Sequence, residues 1–211
     1  MRVVISDNIK DITRSLNNRH KRQIPFAASQ ALNDVAKEAR LVNNAQTDKV
    51  FEGGATGFTK RAFRYKRSNK RNLTAEVFVS DNHDYMKFMI EGGTRFPDKR
   101  AIRVSTKHSK LNKYGNFTRA TVQQMINDKK KYFTGVPKGM PGAGAGVWER
   151  YGRKTKSGGQ KIRMVGVFQD NAQYKPIFPF GEFVEGVVFS RNDGFAIKFR
   201  QRLEAAIRTA K

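Results

Sequence analysis

Between Lys60 and Arg71, seven of twelve residues are basic and none is acidic: "KRAFRYKRSNKR" carries Lys60, Arg61, Arg64, Lys66, Arg67, Lys70 and Arg71. Cations at this density suit phosphates or carboxylates, and the interleaved Phe63 and Tyr65 are of a type that stacks on exposed bases. Core packing is the stronger expectation for both rings. "NLTAEVFVS" follows at once and alternates as a half-buried strand, with Leu73, Ala75, Val77 and Val79 on one face. Further basic groups gather at 95–119 (Arg100, Arg103 and Lys107 among them), at 129–131, and at 150–163, which includes Arg153, Lys154 and Lys156. One charge run is ordinarily a solvated face. Four such segments on loops and strand ends, beside helix stripes that stay apolar, point to contact with a polyanion. No helix-turn-helix, ribonucleoprotein motif or zinc finger is present, so the contact expected is backbone-directed and salt-sensitive.

Other chemistries find little footing. His20, His83 and His108 lie in separate polar segments without partners at metal-ligand spacing, and each is expected to be a solvated or turn histidine. "DNHDY" at 81–85 groups Asp81, His83 and Asp84, but reads more simply as a strand-to-helix turn with Asp84 as N-cap. "GAGAG" at 142–146 lacks the lysine and hydroxyl residue of a phosphate loop. No serine sits in a nucleophile-elbow setting. Two-metal nuclease chemistry needs clustered carboxylates, whereas Asp98, Asp128, Glu149, Asp170, Glu182 and Glu185 are scattered. No cysteine is present, which excludes disulfides and thiolate metal sites. The expectation is a non-enzymatic protein with no metal and no cofactor.

The bulk composition agrees. The chain's 211 residues carry 42 Lys and Arg against 18 Asp and Glu, a net charge of +24. Self-repulsion on that scale opposes compaction, so a nucleic acid or an acidic protein is the expected partner. With 38% hydrophobic residues and 16 phenylalanines the chain can still bury a core. "MRVVISDNIKD" runs out of apolar residues after Ile5 and is not expected to act as a signal peptide, and no apolar run approaches membrane-spanning length. A protein made in the cytoplasm, with no membrane partner, is expected.

Certain elements must carry these groups. "MRVVIS" reads as a short strand, and Ser6 or Asp7 as the cap of a helix over residues 8–18. The block at 21–51 is the clearest helix. Pro25 suits its first turn, and Phe26, Ala28, Ala31, Leu32, Val35, Ala36, Ala39 and Val42 form its apolar stripe. A short helix follows the turn at 81–85, with Tyr85, Phe88 and Met89 inward and a glycine stop. "AIRVS" is a strand, Val122, Met125 and Ile126 mark a short helix, and 134–146 is a glycine-rich loop. "VWERYGRKT" and "QKIRMVGVFQ" form a hairpin turned at "KSGG". The last helix carries Phe195, Phe199, Leu203, Ala206 and Ile207, capped by Asp193. The expected fold is α+β over residues 1–211: one domain, a long N-terminal helix and a C-terminal helix on an antiparallel sheet, with basic loop insertions. Residues 105–146 are expected to form a loop or arm insertion.

The order of elements resembles the tailed-bacteriophage minor tail protein Z group, the tail-completion and head–tail joining proteins. The resemblance rests on "IPFAASQALNDVAKEAR", on the basic segment leading into "LTAEVFVS", on "YMKFMIEGGTRFP" and on "YKPIFPFGEFVEGVVFSRNDGFAIKFRQRLEAAI". It implies a non-enzymatic virion protein of the neck or upper tail, forming a ring of six or twelve copies. Such a ring would join the portal or adaptor side to the tail tube or tail terminator and border the genomic DNA by non-specific backbone contact. Apolar patches at Phe178, Phe180, Phe183 and Phe189 and around Trp148 would supply either the subunit interface or the subunit's own core. Two other classes stay open: a non-specific nucleic-acid-binding protein of nucleoid or ribosome, and a DNA-processing enzyme.

Overall fold

The computed structural model describes residues 1–6, 18–97, 102–156 and 159–209. Residues 8–17 of the helix expected over 8–18, its cap candidate Asp7, Asp98, Arg100, and the Ser157–Gly158 half of the hairpin turn lie outside them, while Ser6 ends the first strand and Asn18 opens the long helix. All strand pairings are antiparallel and the class is α+β, with a long N-terminal helix and a C-terminal helix. In place of one domain the chain divides into two compact units, residues 1–92 with 175–211, and residues 93–174. The intervening segment builds a sheet and an apolar cluster of its own, around Met125, Tyr132, Val147 and Val165. Residues 105–146, expected as a loop or arm insertion, lie within this second unit and supply part of its sheet, its helix and the loops between them.

In the first unit, β1 (Arg2–Ser6), β2 (Phe63–Lys66) and β3 (Thr74–Val79) form a sheet in the order β1-β3-β2. Helix α1 (Asn18–Val50) lies against β2 and β3. Its buried stripe is rich in the smallest side chain, with Ala27, Ala28, Ala31, Ala36 and Ala39 fully covered, so the helix backbone comes close to the sheet. Phe26, expected in the stripe, points outward; Ile24 and Ala27 are buried instead. Pro25 sits inside the helix rather than in its first turn, and has no N–H to offer the preceding turn. Helix α2 (Tyr85–Glu91) buries Met86 and stops at Gly92 (φ 73°), but Asp84 gives no cap hydrogen bond. His83 is a turn histidine, at 81–83 between β3 and α2, but a buried one and not solvated: its Nε2 lies 3.0 Å from the Phe58 carbonyl and its ring stacks on Phe58 at 4.0 Å.

Helix α4 (Phe180–Val188) and helix α5 (Phe195–Thr209) close the unit, both packed on α1. Phe63 (1% exposed) is stacked between Phe178 at 5.1 Å and Phe180 at 5.2 Å, and Phe183 meets Phe178 edge-on. Phe178 and Phe180 thus belong to the chain's own core and have no surface left for a neighbour; Phe183 packs against the same cluster. Phe189, by contrast, is 78% exposed. Lys198 of α5 is buried between Glu38 (2.9 Å) and Asp193 (2.6 Å), and Arg202 meets Asp34 at 2.7 Å, tying α5 to α1. Burial works against the Lys198 charge, but hydrogen bonds to Asp193 and Glu38 outweigh it and raise its pKa. This bridge is complete below the ordinary lysine range and is lost only as pH climbs through the raised value.

In the second unit, β5 (Ile102–Ser105), β6 (Tyr132–Gly135), β7 (Gly146–Tyr151) and β8 (Lys161–Gln169) form a sheet in the order β5-β8-β7-β6. β4 (Gly93–Arg95) and β9 (Ala172–Tyr174) pair as a separate ribbon. Helix α3 (Arg119–Asn127) is capped by Thr118, whose hydroxyl accepts from Thr121 N–H at 3.1 Å. A register shift between Val147 and Trp148 bends β7, and at Gly146 any Cβ would run into the Gly166 carbonyl. Trp148 is only 7% exposed, and its Nε1–H donates to the Gly135 carbonyl at 3.0 Å, so it too is an internal residue.

The alternation of β2 yields a direct test. Phe63→Ala opens a cavity among Phe178 and Phe180 and should cost about 3–5 kcal/mol in urea unfolding. Arg64→Ser, one residue on and exposed, should stay within about 0.5 kcal/mol of the wild type.

Candidate nucleic-acid interface

Every second residue of β2 turns inward, so Phe63 is buried and Tyr65 half-buried while Arg64 and Lys66 face solvent. Two asparagines of α1 fix this segment to the helix. Asn44 Oδ1 accepts from Phe63 N–H at 3.1 Å, and its Nδ2 donates to the Phe63 carbonyl at 3.3 Å. Asn33 repeats the pattern on Ser68, accepting its N–H at 2.8 Å and donating to its carbonyl at 3.2 Å. The Ser68 hydroxyl adds a bond to the Ser29 carbonyl at 3.0 Å. The spacings match. Asn33 and Asn44 are about 16 Å apart along a helix rising 1.5 Å per residue, and Phe63 and Ser68 about 16 Å apart along extended chain at 3.3 Å per residue.

The seven cations of 60–71 are displayed from this anchored backbone. Lys60 meets Asp48 at 2.9 Å, and among the described residues it is the one member of the seven in an ion pair. Arg61 Nε donates to the Gly57 carbonyl at 3.0 Å. Arg67 Nε reaches the Tyr65 hydroxyl at 3.5 Å, while the Arg40 guanidinium lies over the Tyr65 ring at 5.6 Å. Tyr65 is thereby occupied from its own chain. Lys70 and Arg71 sit on a turn closed by Asn69, whose Oδ1 accepts from Arg71 N–H at 2.9 Å and Asn72 N–H at 2.8 Å. Lys70 Nζ lies 5.2 Å from the Phe26 ring. Arg64 and Lys66 share the outer face with Arg2, Phe78 and Glu76, in rows fixed by register: Arg2–Phe78–Arg64 and Val4–Glu76–Lys66.

The remaining candidate cations belong to the second unit. Lys107 is exposed in the turn after β5; Arg103 lies on β5 opposite Phe168. Arg153, Lys154 and Lys156 are exposed on the connection from β7 to β8. The four basic segments thus divide between the units, with 60–71 alone in the first.

Glu149, one of several acids scattered along the sequence, is an organising group in the folded chain. On central β7 it stands in one cross-strand row with Tyr132 of β6 and Arg163 of β8. Its carboxylate, 4% exposed, meets Arg163 at 2.7 Å and Lys131 at 3.2 Å, and the Tyr132 hydroxyl at 3.4 Å. The burial would raise its pKa, yet the Arg163 and Lys131 hydrogen bonds prevail and hold the carboxyl below the usual glutamate range. A lone acid among bases at a buried strand position was the available signal.

Among the described residues no group of three carboxylate, imidazole or thiolate side chains could hold a metal ion, and no helix is long and apolar enough to cross a membrane. No family model, no curated protein and no solved structure matches the chain.

Glu149→Gln should destabilise the protein by about 2–3 kcal/mol at pH 7, since removing one partner of a buried pair exposes the others to incomplete compensation, tempered here by their partial exposure. The wild-type advantage exists above the unfolded glutamate pKa of about 4.3 and fades as pH falls through the depressed folded value. Unfolding curves of the two proteins should therefore draw together only as pH falls below that depressed value.

Proposed function

We propose that this chain is a structural, non-enzymatic virion protein of a tailed bacteriophage, acting at the neck or upper tail as a ring that joins the portal side to the tail and borders the genome's channel. The reading is supported by the order of elements that resembles the tail-completion group and by the fixed display of charge. One observation carries it: the backbone of the most basic segment is bound to the core helix at Phe63 and Ser68, yet only one of its seven cations is ion-paired among the described residues. Charge held on a rigid strand keeps its mutual repulsion, and a fixed polyanionic neighbour offsets that repulsion. DNA phosphates in a channel, or acidic rims of adjoining rings, are such neighbours.

In this reading the contact is with phosphate, not base edges, and no catalytic step is assigned. Association between copies relies on apolar surface outside the core, of which Phe189 is the most exposed ring. Native mass measurement with negative-stain imaging of the purified protein should find annular six- or twelve-fold particles. Replacing Lys60, Arg61, Arg64, Lys66, Arg67, Lys70 and Arg71 with Ser should leave the fold intact but block assembly or genome retention in the phage that carries the gene. Normal, infectious virions from that variant, or a protein that stays monomeric at every concentration, would refute the proposal.

A further inference from the structure

The second unit carries an open groove of about 1210 Å3 between the turn at 128–131 and the far end of β7 with its following loop. We infer that this groove seats the phosphate backbone of duplex DNA, with Lys129, Lys130 and Lys154 as the phosphate-contacting cations. The inference rests on the DNA-bordering role proposed above and locates that contact on residues outside the 60–71 segment.

Charge is the first ground. Five cations line the groove, Lys129, Lys130, Lys131, Arg150 and Lys154, against the carboxylates of Asp128 and Glu149. Glu149 is already bound by Lys131 and Arg163, and Asp128, whose Oδ1 accepts from the Lys131 backbone N–H at 3.0 Å, keeps its charge but is outnumbered, so the lining stays net positive. Lys129, Lys130 and Lys154 are exposed, and among the described residues none of them forms an ion pair.

The second ground is preorganisation. Arg150 does not itself wait for a ligand: its guanidinium donates to the Lys129 and Lys130 carbonyls, each at 3.1 Å, and lies over the Phe133 ring at 4.4 Å. Its backbone N–H bonds the Lys131 carbonyl at 2.8 Å. The lysine turn is therefore held in one shape by an arginine on the opposite wall, and its ammonium groups project from a fixed backbone. This lowers the ordering cost of a multivalent electrostatic contact.

The groove's character selects the ligand. It is larger than the roughly 300–1,000 Å3 of small-molecule pockets and is open rather than enclosed, which suits a polymer running through it. Single strands are held by successive exposed rings; here Tyr151 stands alone and the Arg163 guanidinium lies over it at 5.1 Å. Gln160, the lining amide, donates one of its two Nε2–H groups to the Gly152 carbonyl at 2.8 Å, which ties it to the β7–β8 connection. Sequence-independent binding of duplex phosphates is what the lining supports.

The test uses full-length protein and a fluorescent duplex of arbitrary sequence, titrated by anisotropy between 50 and 200 mM salt, with a single strand and poly-glutamate as parallel probes. The triple variant Lys129→Gln, Lys130→Gln and Lys154→Gln should lower the slope of log affinity against log salt by about 2.7, at about 0.9 per phosphate contact. A charge-matched control, Lys37→Gln, Lys49→Gln and Lys87→Gln, should keep the wild-type slope. Acetylation footprinting of the wild type, which needs no variant to fold, should find Lys129, Lys130 and Lys154 protected by duplex. Equal slope loss in both triples, unprotected groove lysines, or groove-dependent binding of poly-glutamate or single strand in preference to duplex would each overturn the assignment. Particle mass separates the two proposals: annular particles from a protein whose groove ignores DNA sink this inference alone, and a duplex-binding monomer sinks the ring alone.

Discussion

Two side-chain amides on one helix govern how this molecule presents its charge. Asn33 and Asn44 satisfy the backbone N–H and C=O of Ser68 and Phe63, so α1 serves as a neighbouring strand along the outer rim of β2. The arrangement works because helix and strand advance the same distance between the clamped residues, eleven steps of one matching five of the other. Without the amides, buried polar groups of β2 would lack partners, at a cost of about 1–3 kcal/mol each. The clamp also closes a rim that would otherwise be open to strand addition by another chain.

From that clamp the rest of the first unit follows. Alanines on α1 let the helix approach near enough for asparagine side chains to reach the sheet; larger residues would hold it away. Phe63, fixed by Asn44, is then delivered between Phe178 and Phe180, and the period of two sends Arg64 and Lys66 outward. Burial and display are two faces of one strand. This is how a segment with seven bases can adjoin the core without placing a charge in it.

How much of this was legible in the sequence depends on the range of the interaction. The 3.6-residue stripe of α1, the alternation of β3 and the β7–β8 hairpin are local patterns, and each element forms where its pattern lies. The division into two units was not legible, because a chain leaving at Gly92 and returning at Lys175 leaves no local mark. Helix α4 was hidden by glycines at 181 and 186 and prolines just before it. The cations of the candidate interface could be read directly, but not their anchorage: Asn33 and Asn44 look like solvated helix residues until the partner thirty-five or nineteen positions away is in place. Glu149 failed for the same reason, since Tyr132 and Arg163 reach it only across a folded sheet. The aromatic cluster at 178–183 suited an interface or a core equally by composition, and packing placed it in the core.

The scarcity of acid has a consequence of its own. Asp34, Glu38, Asp48, Glu76, Glu149 and Asp193 all serve as internal staples between elements, each engaged with a lysine or arginine of its own unit. With a net charge of +24, the chain meets its surroundings as a polycation that gathers small anions about it. Docking against another polyelectrolyte would set those small ions free, and the gain in their translational entropy, rather than any new contact, would drive the union.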